Sequence, residues 1–118
     1  MGNPVTHFEV TGKDQAALQK FYNAAFGWEM KQQMPSYAMV MTGAGINGGI
    51  GEVMGGGTGH VTFYVEVDDV AAMLKVVESA GGRTAMPEMS VPGGPTIGMF
   101  LDPEGHLIGL AKRAGVQV

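Results

Sequence analysis

Residues 7–28 read HFEVTGKDQAALQKFYNAAFGW and residues 62–83 read TFYVEVDDVAAMLKVVESAGGR. Laid over one another without a gap, at an offset of 55, they agree at 8 of 22 positions: Phe8/Phe63, Val10/Val65, Asp14/Asp69, Ala16/Ala71, Ala17/Ala72, Lys20/Lys75, Ala25/Ala80 and Gly27/Gly82. Any two strand–helix units share some apolar letters. Here an aspartate, a lysine and a glycine coincide as well, and the offset is close to half of the 118 residues, so duplication of one module is the better account.

Both copies have the same local reading. Thr6 to Val10 alternates with the period of a half-buried strand, Phe8 and Val10 on one face, His7 and Glu9 on the other. In the second copy Val61, Phe63, Val65 and Val67 repeat the apolar face, and His60, Thr62, Tyr64 and Glu66 the polar one. A helix follows each strand. Leu18, Phe21, Tyr22, Ala25 and Phe26 make the apolar stripe of the first; Val70, Met73, Leu74 and Val77 that of the second. Asp68 or Asp69 caps the second helix, and Gly27 and Gly81 stand where a left-handed C-terminal residue is wanted.

Further strands are expected at Tyr37–Met41 and Ile50–Val53 in the first half, and at Thr84–Met86, Thr96–Leu101 and Leu107–Ala111 in the second. Asp102-Pro103-Glu104-Gly105 reads as a turn. The expected class is α+β, a single domain over residues 1–118: a βαβββ module at 4–54, a glycine-rich linker at 55–59 and a second βαβββ module at 60–113. Each module would form an open, cup-shaped sheet with its helix outside and His7, Glu9, His60, Thr62, Tyr64 and Glu66 lining the inner face.

Composition narrows the function. Twenty glycines, nine of them between Gly43 and Gly59, raise the question of disorder, but 45% hydrophobic and 15% charged residues supply enough apolar side chain for a core. A net charge of -4 speaks against non-specific nucleic-acid binding. The absence of cysteine excludes disulfides, thiolate metal sites and cysteine nucleophiles. No apolar run approaches the ~20 residues of a membrane span, and the N-terminus lacks a signal-peptide pattern, so a cytoplasmic protein without membrane partners is expected.

His7-Phe8-Glu9-Val10, Phe21-Tyr22, Phe26-Gly27-Trp28, Tyr64 to Val70, Gly81-Gly82 and the run from Asp102 to Leu110 together resemble the vicinal oxygen chelate superfamily, which includes glyoxalase I, bleomycin-resistance proteins and extradiol dioxygenases. The pattern is most similar to its lactoylglutathione lyase-related branch. The resemblance implies paired βαβββ modules around a cup-shaped pocket, and a homodimer.

In metal-dependent members of that superfamily the resemblance implies one ligand on the first and one on the last strand of each module, two histidines and one or two glutamates. His7 stands at the first such position, but its partner by alignment is Thr62. His60 lies two residues earlier, about 6–7 Å further along the strand. The last-strand position falls on Gly109, and on Gly51 in the first module, with Glu52 beside it on the opposite face. The expectation is therefore no resident metal or other cofactor. The alternative is a bulge that shifts His60 into place, with Glu9 or Glu52 supplying a carboxylate.

The remaining features weigh less. His106 reads as a solvated turn residue. Gly45 to Gly51 lacks the lysine and hydroxyl residue of a phosphate loop and reads as a strand edge with close backbone approach. Methionines 34, 39, 41, 54, 86, 89 and 99 read as core or pocket filler. Two functions follow. One is a protein that binds a small organic ligand through His7, Glu9, His60, Thr62, Tyr64, Met99 and the space at Gly109, with Glu9 and Glu66 favouring a cationic or hydroxyl-rich molecule. The other is a lyase, isomerase or dioxygenase-type enzyme using His7, with or without a divalent metal, or with His7 and Glu9 as acid and base.

Overall fold

The chain alternates as its duplication implies: β1 (Val5–Gly12), α1 (Gln15–Phe26), β2 (Glu29–Met34), β3 (Tyr37–Met41), β4 (Asn47–Glu52), then β5 (Val61–Val67), α2 (Val70–Ser79), β6 (Arg83–Ser90), β7 (Thr96–Leu101) and β8 (Leu107–Lys112). The computed structural model describes residues 2–53 and 57–113; Met54, expected as core or pocket filler at the end of the first module, and Gly55 and Gly56 of the expected linker lie outside the described residues. The class is α+β. Thr6–Thr62 form one compact unit, and residues 63–113 with 2–5 form another. Among the described residues no helix is long and apolar enough to cross a membrane.

The two helices begin in the same way. The Asp14 carboxylate accepts from the Ala17 backbone N–H at 3.0 Å, and Asp69 accepts from Ala72 at 3.0 Å. Each satisfies one of the donors a helix start leaves unpaired. Gly27, at φ 73, ends α1 and donates to the Asn23 carbonyl at 2.8 Å. Gly81, at φ 109, follows α2 and donates to Glu78.

In the first unit the strand order is β2-β3-β4-β1, with β1 parallel to β4 and the other pairs antiparallel. The register puts Phe8, Val10, Ala38, Val40, Gly48 and Ile50 on one face. There Val10, Val40 and Ile50 form a core packed by Leu18, Tyr22, Trp28 and Met30. The opposite face carries His7, Glu9, Thr11, Tyr37, Asn47, Gly49 and Gly51. The second unit orders its strands β5-β8-β7-β6, and its core is Val67, Val70, Leu74 and Leu110.

Several expectations fail for physical reasons. β2 was not foreseen: EMKQQM lacks period-2 alternation, most of it is exposed, and its pairing slips between Gln32 and Met34. Phe21 and Phe26 lie on the expected stripe yet are 60% and 62% exposed, because Leu18 and Tyr22 alone meet the sheet core. At the start of β5 the faces are reversed, with Val61 and Phe63 exposed and Thr62 and Tyr64 buried. The Gly45–Gly51 stretch is not an edge, since β4 pairs with β3 on one side and β1 on the other. Of the methionines expected inside, Met34, Met41 and Met89 are exposed and Met99 is buried.

Candidate functional site

The polar face of the first unit is organised by Tyr37. On the neighbouring strand β4 carries glycine at 49 and 51, Gly51 directly opposite Tyr37, and the missing side chains leave a trough across the strand. A Cβ on Gly51 would meet the Tyr37 ring at 2.7 Å; one on Gly49 would lie 1.8 Å from the Tyr37 hydroxyl. The ring therefore lies across β4 and delivers its hydroxyl to β1. There it donates to Glu9 Oε1 at 3.0 Å, and His7 Nε2 lies 2.9 Å away. The phenol has one proton, so once it goes to Glu9 the His7 Nε2 is the donor in the other contact.

The second oxygen of Glu9 meets His60, Oε2 to Nε2 at 2.6 Å. Sequence spacing places His60 about 6–7 Å out of register with a ligand position, yet the chain turns it onto this face. The Thr11 N–H donates to the His60 carbonyl at 2.8 Å, and the His60 N–H donates to Thr11 Oγ1 at 2.9 Å. Only glycine fits just before it: Gly59 has φ 92, and a Cβ there would stand 2.0 Å from the Thr11 carbonyl oxygen. His7, Tyr37, Glu9 and His60 thus form one hydrogen-bonded chain. Glu9 is 8% exposed at its centre. Burial pushes the His7 imidazole below its usual value, and the Glu9 carboxylate partly opposes that shift.

The sequence candidates fall into two groups. His7, Glu9, His60 and Thr62 belong to the first unit, where Tyr37 joins His7 to Glu9, Glu9 meets His60 directly and Thr62 is buried. Tyr64, Met99 and Gly109 belong to the second, where Gly109 pairs with Tyr64 on β5 and with Met99 on β7. A Cβ on Gly109 would meet the Tyr64 ring at 2.5 Å. Because Glu9 pairs with Gly49 as Tyr64 pairs with Gly109, Gly49 is the counterpart of Gly109, not Gly51. In each unit a tyrosine covers that glycine. Glu66 is half-buried on β5. His106 is solvated, as expected, and its backbone N–H holds the Asp102 carboxyl below the usual carboxylate range. Among the described residues no three His, Cys, Asp or Glu are grouped to hold a metal ion.

Tyr37 and Thr11 escaped the sequence reading. The signal for Tyr37 was the pair of glycines two residues apart on β4, which a long aromatic side chain on a neighbouring strand can exploit.

A family model described as the Glyoxalase/Bleomycin resistance protein/Dioxygenase superfamily matches residues 5–110. CFP32 of Mycobacterium bovis, described as a glyoxylase, is 30% identical over 106 residues, 82% of this chain and 41% of that protein. The chain thus spans about two fifths of the length of the curated relatives it matches at this level. Among solved structures, Streptomyces coelicolor methylmalonyl-CoA epimerase in complex with 2-nitronate-propionyl-CoA superposes with a TM-score of 0.74, covering 100% of this chain and 99% of that one at 20% identity. The Mn(II)-bound glyoxalase of Novosphingobium aromaticivorans gives 0.66, covering 94% and 39%, also at 20% identity. At such identities the likeness is one of fold.

Proposed function

This chain belongs to the glyoxalase/bleomycin resistance protein/dioxygenase superfamily, and on that premise we propose that it binds a small organic molecule on the polar face of its first unit, using hydrogen-bonding side chains where metal-dependent members carry metal ligands. The observation that carries this reading is the hydrogen-bonded chain His7–Tyr37–Glu9–His60, which holds two imidazoles and a buried carboxylate together on one face. Of the four ligand positions the resemblance implies, three hold Thr62, Gly49 and Gly109. A carboxylate at either glycine would have to displace a tyrosine. The residues present do not fit the family's ligand set, and no step of the function is routed through a metal.

A half-exposed rim of imidazole around a buried carboxylate suits a ligand rich in hydroxyl or ammonium donors, since a few placed polar groups on a preformed surface fix orientation. A thermal-shift screen of cationic antibiotics, bleomycin among them, and hydroxyl-rich metabolites tests the proposal. Stabilisation that disappears in His7→Ala supports it, and none at about millimolar ligand counts against it. Elemental analysis of untagged protein is the complementary measurement: a stoichiometric divalent ion lost in His7→Ala overturns the metal-free reading. Robust turnover of methylglyoxal and glutathione with added zinc, nickel or manganese would do the same.

A further inference from the structure

We infer that Glu9 and His60 form a proton-transfer dyad, in which the outward Nδ1 of His60 takes a proton from a small weak acid bound on this face. The inference deepens the ligand-binding reading and rests on it for the binding step, but not for the dyad's own geometry.

An ionised carboxylate only accepts hydrogen bonds, so the proton in the 2.6 Å contact between Glu9 Oε2 and His60 Nε2 sits on the nitrogen. A neutral imidazole has one N–H. With it fixed at Nε2, the lone pair is at Nδ1, and no described residue forms a hydrogen bond with that atom. The exposures agree: the His60 side chain is 28% exposed and that of Glu9 11%. The imidazole thus stands between solvent and carboxylate. A buried carboxylate that fixes the tautomer of a more exposed histidine and stabilises the imidazolium is an arrangement suited to general-base work. Thr11 completes it by holding the His60 backbone from both sides. His60 is then the catalytic residue; Glu9 and Thr11 are positioning residues. His7 differs in its partner: its Nε2 meets the Tyr37 hydroxyl, where that of His60 meets a carboxylate.

5-Nitrobenzisoxazole is a suitable probe, because one proton transfer completes its reaction. The Nδ1 lone pair takes the ring C–H proton. The C–H electron pair becomes the third C–N bond as the N–O bond breaks, and the oxygen leaves as a coloured nitrophenolate. The imidazolium, paired with Glu9, then returns its proton to water.

The test uses the full chain with His60→Ala and Glu9→Gln, each checked for folding by circular dichroism. His60→Ala retains the backbone bonds to Thr11. The expected result is an elimination rate about 100-fold lower in both variants. Long-range nitrogen–proton NMR at about pH 8, above the ordinary imidazole range, should find Nδ1 bare in the parent. In Glu9→Gln it should find the proton moved to Nδ1, because the Gln amide now donates towards Nε2. A simple scaffolding role for Glu9 would not move that signal. A parent rate no higher than that of His60→Ala, or a bare Nε2 in the parent, overturns the dyad. Thermal shift with the same probe reports on the binding face separately: binding without turnover fails the dyad alone, and neither fails both.

Discussion

Glycine at position 49 is what lets a tyrosine on β3 reach β1. With a Cβ only 1.8 Å from the hydroxyl and 2.1 Å from Cζ, an alanine there and the phenol cannot share the space. Gly49→Ala should therefore cost about 1–3 kcal/mol in urea denaturation, the usual range for overpacking, and should cost little in a Tyr37→Ala background. An equal cost in both backgrounds would mean that Tyr37 is not the occupant. His7 makes a second residue-level prediction. Its folded-state value lies below the ordinary 6.5, with burial the larger cause. As pH falls through 6.5 the unfolded chain takes up this proton before the folded one does. Stability should thus decline from about 6.5 down to the lowered value and change no further through this group. Urea midpoints across this window should show a slope that His7→Gln removes; an unchanged slope would clear His7 of the effect. His7 and Glu9 were legible in the sequence because strand alternation alone puts them on the polar face. The contact of His60 with Glu9 was not, since it depends on a Gly59 turn and two bonds to Thr11 that no periodicity encodes.

At the scale of elements, the helices were the most legible part, because an aspartate cap, an apolar stripe and a closing glycine all point the same way. The two are nevertheless anchored differently. α2 buries Val70 and Leu74, whereas α1 buries no residue. Removing the cap should cost about 1 kcal/mol in either case, but the loss should be read out differently. Asp69→Ala should lower the global unfolding midpoint, because α2 is locked into its core. Asp14→Ala should chiefly speed hydrogen exchange in the first turn of α1, which can open locally. Equal effects on the global midpoint would show that α1 is as firmly tied down as α2. β2 and β4 show where element-level reading stops. β2 carries polar residues at four of its six positions and slips in register, so it leaves no clear alternation. β4, with glycine at three of its six positions, resembles a loop in composition; it is a strand because Phe8 and Tyr37 pack where its side chains would be.

At the scale of the whole molecule, the duplication read from the sequence explains the two small cores, one built on Val10, Val40 and Ile50, the other on Val67, Val70, Leu74 and Leu110. Neither absorbs all the apolar side chains near it. On the first unit Phe21 and Phe26, 60% and 62% exposed, extend an aromatic group in which Tyr22 stacks on Trp28 at 5.3 Å and Phe26 lies 5.2 Å from the same indole. Large aromatic rings left in water beside a packed cluster are the kind of surface a partner covers, and a second copy of the chain is the partner the family resemblance implies. We propose that the protein self-associates through this face. Light scattering on a size-exclusion column should give about twice the 12.3 kDa mass of the chain. Phe26→Glu, which places a charge in that surface without replacing a buried residue of either core, should shift the population to the single-chain mass. A parent protein that elutes as a single chain at every concentration would sink the proposal. A variant that stays paired would place the interface elsewhere on the molecule, with Val61 and Val76, 77% and 56% exposed, next to be substituted.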